Sequence, residues 1–91
     1  MEFLYYKDFL PSLNRLNGRG YKYNRPYNNA LNPYLLAGQN CDFDEAFAGL
    51  KVTKHGEKRI QHAVKFDLGR DCRLVIIKND NMCNFLFAGI H

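Results

Sequence analysis

The sequence predicts an α+β domain: an N-terminal strand and helices packed on an antiparallel β-sheet that ends in a three-stranded meander. Three segments of strand character, joined by short polar turns, occupy the last third of the chain and are the first reason. Apolar residues at helical spacing before them are the second. Length is the third: 91 residues bury one core and no more, so a single domain over residues 1–91 is expected.

Met1–Tyr6 alternates weakly and is rich in aromatic residues, as a short first strand would be. From Lys7 to Leu16, the residues Phe9, Leu10, Leu13 and Leu16 recur at three- and four-residue steps, a helical stripe in which Pro11 fits only near the first turn. Asn17-Gly18-Arg19-Gly20 then stops the helix. A second helix is expected from about Pro26 to Ala37, ending at Gly38, with Tyr27, Leu31, Tyr34, Leu35 and Leu36 on its apolar face and Pro33 as a site for a kink. Cys41–Leu50, with its acidic cluster, reads as a connecting segment.

The strands are plainer. In Arg59–Leu68 the residues Ile60, His62, Val64, Phe66 and Leu68 fall on one face and Arg59, Gln61, Lys65 and Asp67 on the other. Gly69-Arg70-Asp71 turns into Cys72–Lys78, a nearly continuous apolar strand suited to a sheet centre. Asn79-Asp80-Asn81 turns again into Met82–Ala88.

Composition narrows the function. Hydrophobic residues make up 46% and charged residues 24%, ordinary for a globular protein and too apolar for a disordered one. No apolar run approaches the roughly 20 residues that span a bilayer, and the first residues lack the features of a secretory signal. Cys41, Cys72 and Cys83 are odd in number and lack C-x-x-C spacing, so reduced thiols in a cytoplasmic protein are expected, with neither membrane nor metal site and no cofactor. Nucleotide-binding, dinucleotide-binding, zinc-protease and α/β-hydrolase motifs are all missing.

The net charge of +4 is unevenly placed along the chain. Residues 1–50 carry five cations and five carboxylates; residues 51–91 carry eight cations against four carboxylates. Such a field attracts a polyanion, most commonly a phosphate backbone. The densest polar stretch is Lys51–Arg59, with Lys51, Lys54, Lys58, Arg59, His55 and Glu57 within nine residues. An imidazole titrates near about 6.5 and serves as base or acid around neutrality. Arg59 and Arg73, on consecutive strands, would fork around one phosphate if they share a sheet face, which strand parity alone does not fix. The plainer reading of the stretch is a solvated basic loop, and pattern alone favours it. His62, in phase with apolar residues, reads as a packed histidine, and the pattern gives terminal His91 no role. Most aromatic residues belong to the core, although Tyr21, Tyr23 and Tyr27, close to Arg19, Lys22 and Arg25, are placed to stack on bases.

The second half, from Phe47-Ala-Gly-Leu-Lys-Val-Thr-Lys-His-Gly-Glu-Lys-Arg-Ile60 through Cys72-Arg-Leu-Val75 to Phe87-Ala-Gly-Ile-His91, resembles the RelE/ParE toxin superfamily. The resemblance lies in the order and spacing of a basic segment, a strand with an arginine, an "RLV" strand, a polar turn and an apolar strand followed by histidine. It covers about 45 residues, and the rest only by element order. It implies the toxin of a type II toxin–antitoxin system, a metal-independent RNA endonuclease that cuts mRNA, usually on the ribosome, by 2′-hydroxyl attack on the adjacent phosphate. Carried over by position, Glu57 or His55 would be the base, Arg59 and Arg73 the phosphate clamp and His91 the acid, with Lys51, Lys54, Lys58 and Lys65 holding the RNA backbone. A cognate antitoxin is the implied partner. The alternatives are a ParE-like inhibitor of DNA gyrase, which shares the fold without the nuclease residues, or an inactive toxin-like interaction module.

Overall fold

A computed structural model describes residues 1–53 and 60–90. Strand β1 (Glu2–Tyr5) leads into helix α1 (Phe9–Asn17), a 3₁₀ turn at Tyr21–Tyr23, and helices α2 (Asn24–Ala37) and α3 (Phe43–Ala46). Strands β2 (Lys51–Val52), β3 (Ala63–Gly69), β4 (Cys72–Asn79) and β5 (Met82–Ile90) complete a five-stranded sheet in the order β1-β5-β4-β3-β2. The β3–β4–β5 meander is antiparallel as expected, but β1 runs parallel to β5, making the sheet mixed. Strand direction between segments so distant in sequence is not written in the period of either.

The helices lie on one face of the sheet. Phe9, Leu13 and Leu16 of α1 are buried, as the three- and four-residue spacing requires, and Gly18 receives the end of the helix. Helix α2 continues through Pro33, and Pro26 occupies its first turn, where the missing N–H costs nothing. The Asn29 side-chain amide donates to the Leu68 carbonyl at 3.1 Å and fastens α2 to β3. The supposed connecting segment Cys41–Leu50 contains α3. Its N-cap is Asp42, whose carboxylate accepts from the Glu45 N–H at 2.8 Å, so the acidic cluster is a capped helical turn.

The core is a chain of aromatic contacts centred on Phe85, which is fully buried. Its ring lies 5.1 Å from Phe9, 5.2 Å from Tyr5 and 5.6 Å from Phe47, and Phe47 in turn stacks on Phe66 at 4.8 Å. Leu68, Leu74 and Ile76 fill the same layer. A bulge shapes β5: Val75 faces Phe87 while Ile76 faces Phe85, so Leu86 is an extra residue. Phe85 and Ala88 therefore both reach the covered face, although three residues apart. Ser12 of α1 joins helix to sheet there, donating to the Phe9 carbonyl at 2.6 Å and accepting from the Ala88 N–H at 2.9 Å.

The strand read over Arg59–Leu68 starts, among the described residues, at Ala63. His62 has φ +63°, so the backbone turns there, and Ile60 and His62 are exposed instead of continuing the apolar face. Val64, Phe66 and Leu68 keep the expected phase. Among the described residues no helix is long and apolar enough to cross a membrane. Cys72 and Cys83 are buried as small hydrophobes.

Two outcomes follow from this packing. Phe85→Ala is expected to cost about 3–5 kcal/mol in urea unfolding, and Ser12→Ala about 1–3 kcal/mol, because the Ala88 N–H loses its buried partner. Burial pushes the Cys83 thiol from an ordinary 9.0 up to about 12. A folded-state value raised above the unfolded one stabilises fully below the unfolded value and is lost as pH rises through the folded one. Urea midpoints are therefore expected to fall between pH 9.0 and about 12, more steeply in the natural protein than in Cys83→Ala.

Candidate functional site

Because the helices cover one face, the other face of the sheet displays the alternate residues. Register puts Asp67 of β3 opposite Arg73 of β4, and Arg73 opposite Gly89 of β5. Lys51 of β2 pairs with Asp67 from the other side. One end of the open face thus carries Lys51, Asp67, Arg73 and Gly89 in a row across four strands. Arg73 Nη1 donates to Asp67 Oδ1 at 3.2 Å and to the Cys72 carbonyl at 2.9 Å. The same Asp67 oxygen accepts from the Gly69 N–H at 2.9 Å.

The hairpin behind this pair is tight. Gly69 pairs with Cys72, and the two loop residues, Arg70 and Asp71, both have positive φ, +48° and +58°. This is the backbone of a two-residue hairpin loop that twists with its strands, a place where asparagine and glycine are more usual. The carboxylate of Asp67 thus holds the loop with one bond and the guanidinium with another. One Arg73 nitrogen is occupied in this way, which leaves the remaining N–H groups of the fork for an anion. The Arg73 side chain is 27% exposed, half sunk at the sheet end yet open to solvent.

Gly89 gives the site its floor. It has φ +156°, and a β-carbon placed there would lie 3.0 Å from Cζ of Phe87, whose ring folds along the strand over the glycine. The positive φ favours glycine at this position, opposite Arg73. Lys65 also belongs to the open face, opposite Val75, but it is 7% exposed rather than standing in solvent as an outward-facing contact would. On the covered side of the same end, burial raises the Cys72 thiol, and Arg19 and Arg73 partly oppose that shift. Both guanidiniums therefore act on one spot.

Of the residues the sequence nominated, Arg73, Lys51 and Lys65 are placed on the open face. His55, Glu57, Arg59 and His91, with Lys54 and Lys58, lie outside the described residues. Asp67 and Gly89 were not nominated. Their signal is the cross-strand register, which for Asp67 depends on the Arg70-Asp71 loop and the shift between Asp67 and Gly69, and for Gly89 on the β4–β5 turn and the bulge at Leu86. Among the described residues no group of three His, Cys, Asp or Glu side chains is close enough to share a metal ion.

No protein-family model matches the chain, and neither does any curated protein sequence. Solved structures do. A copper-bound mutant toxin from Helicobacter pylori superposes with a TM-score of 0.61 at 17% identity, covering 100% of this chain and 94% of that one. The Escherichia coli DinJ–YafQ complex contributes a second match, with a TM-score of 0.58 at 16% identity over 99% of this chain and 92% of that one. The fold is the RelE-like toxin fold. It was the fold implied by the sequence resemblance, and nearly the whole length of each chain takes part. Within the RelE-like fold, the Lys51–Asp67–Arg73–Gly89 row lies on the sheet face that the helices leave open.

Gly89→Val is expected to destabilise the protein by about 2 kcal/mol, read as a lowered urea midpoint, since it sets a branched side chain at positive φ against the Phe87 ring.

Proposed function

We propose that the protein is the toxin of a type II toxin–antitoxin pair and acts as an endoribonuclease on mRNA. The observation that carries the reading is the placement of Arg73. Its guanidinium is held by Asp67 on the open sheet face, at the end where β5 delivers the chain to His91. Likeness of fold to a Helicobacter pylori toxin and to the DinJ–YafQ complex supports it independently, and the latter also supports a protein antitoxin as partner.

In the proposed reaction the RNA 2′-oxygen attacks the adjacent phosphorus and the bond from phosphorus to the 5′-oxygen breaks, leaving a 2′,3′-cyclic phosphate and a free 5′-hydroxyl. His55 or Glu57 accepts the 2′-hydroxyl proton, and His91 returns one to the departing 5′-oxygen. Charge accumulates on the equatorial phosphoryl oxygens, and the N–H groups of Arg73 not engaged by Asp67 and the Cys72 carbonyl meet it, with Arg59 as the second arm. Lys51, Lys54 and Lys58 hold flanking phosphates, whereas Lys65, which the sequence also nominated, is buried at 7% exposure and takes no part. No metal ion takes part in this scheme.

Cell-free translation with mapping of message ends tests this. The natural protein is expected to cut mRNA at defined sites, and Arg73→Ala to slow cutting by about 10²–10³-fold, the usual loss when one donor to a developing oxyanion is removed. His91→Ala is expected to abolish cutting as well. Intact message with inhibited DNA supercoiling would assign the protein to the gyrase inhibitors, and neither effect would leave an interaction module.

A further inference from the structure

Two cations of the first half, Lys22 and Arg25, do not follow the open face. They gather around its end, on the side where α2 begins. A cleft of about 420 Å³ there is lined by Lys22, Arg25, Lys51 and Arg70, with Asp67 as the one carboxylate among the described residues. Asp67 already accepts from Arg73 and from the Gly69 N–H. Among the described residues none of the four cations makes an ion pair.

Helix α2 begins with Arg25 in its first turn, no acidic residue there and no side-chain cap, although the positive end of a helix favours carboxylates. Arg70 adopts φ +48°, a conformation rare for a long side chain. Both Arg70 and Arg19 approach the ring of Tyr23, at 5.8 and 5.5 Å, so two like charges converge on one aromatic residue. Charge concentrated in this way, with no ion pair to the four cleft cations among the described residues, suits a polyanion.

Three tyrosines in this region are now sorted by burial. Tyr27 packs against the core, Tyr23 lies under the two guanidiniums, and Tyr21, next to Lys22, is 79% exposed. An exposed ring beside unpaired cations offers both things a single strand needs, a face for a base and charge for its phosphates. Lys51 links the two regions, since it faces Asp67 at the sheet edge and also lines the cleft.

We propose that this cleft is a second RNA subsite, where Lys22, Arg25 and Arg70 hold backbone phosphates and Tyr21 stacks on a base of the strand that continues beyond Arg73. The subsite rests on the RNA reading above. It extends the footprint from the open sheet face round the β3–β4 loop to the start of α2, and it takes single-stranded RNA irrespective of sequence.

The test is fluorescence-anisotropy binding of a labelled single-stranded RNA dodecamer, 2′-O-methylated against cleavage, over a range of salt concentrations. The proteins compared are the natural one, Lys22→Ala/Arg25→Ala, Arg70→Ala, Tyr21→Ala and Arg73→Ala, each checked for an unchanged circular dichroism spectrum. Each lost phosphate contact is expected to weaken binding about tenfold and to flatten the slope of log affinity against log salt by about 0.7. Tyr21→Ala is expected to weaken binding about tenfold with the slope unchanged, because stacking releases no counterions. If the cleft variants bind like the natural protein while Arg73→Ala alone is impaired, the subsite is overturned and the open-face reading stands. If the natural protein fails to bind RNA even at low salt, both fall. Cleft variants that keep RNA affinity but lose an oligoglutamate peptide would assign the cleft to an acidic protein segment and overturn the subsite.

Discussion

The carboxylate of Asp67 governs the end of the sheet that carries the candidate site. It accepts from the Gly69 N–H as the chain leaves β3 and from Arg73 as the chain returns in β4. The first bond supports a loop built from two residues at positive φ, and the second aims a guanidinium along the open face. In isolation the ion pair is half exposed and worth about 1 kcal/mol at most. Its importance is geometric: a long, mobile side chain acquires one position, and its ordering cost is met within the folded protein.

The one-sided sheet makes that position useful. Phe85, Phe47, Phe66 and Leu74 spend the covered face on packing against the helices, so Asp67 and Arg73, on the other face of β3 and β4, stay open to solvent. Removing buried aromatic surface would loosen the platform on which Arg73 stands, since Cys72 of the same core accepts from its guanidinium. The bulge at Leu86 serves the same division. It lets β5 keep Phe85 and Ala88 inward while Phe87 lies over Gly89 on the other side.

Much of this was legible in the residues. The α1 stripe, the second helix ending at Gly38, and the strands from Cys72 and Met82 follow directly from apolar period and turn chemistry. What was hidden is nonlocal or competes with a local signal. Asp42 capping a single helical turn reads as charge in a connection, and His62 reads as strand because parity ignores the sign of φ. The parallel pairing of β1 with β5 leaves no trace in either strand. Charge divided along the chain likewise concealed that Lys22 and Arg25 meet Lys51 and Arg70 in space. Arg73 was nominated by its neighbours in sequence, whereas its partner Asp67 needed the register.

The central claim is that phosphate binds the open end of the sheet through Arg73. Nuclear magnetic resonance of the ¹⁵N-labelled protein, titrated with 2′-O-methylated RNA, tests it most directly. Shifts of the Arg73 side-chain N–H groups, together with the Gly89 and Lys51 amides, are the result expected. Shifts confined to residues of α1 and the outer surface of α3, with the Arg73 guanidinium unmoved at saturation, would contradict it.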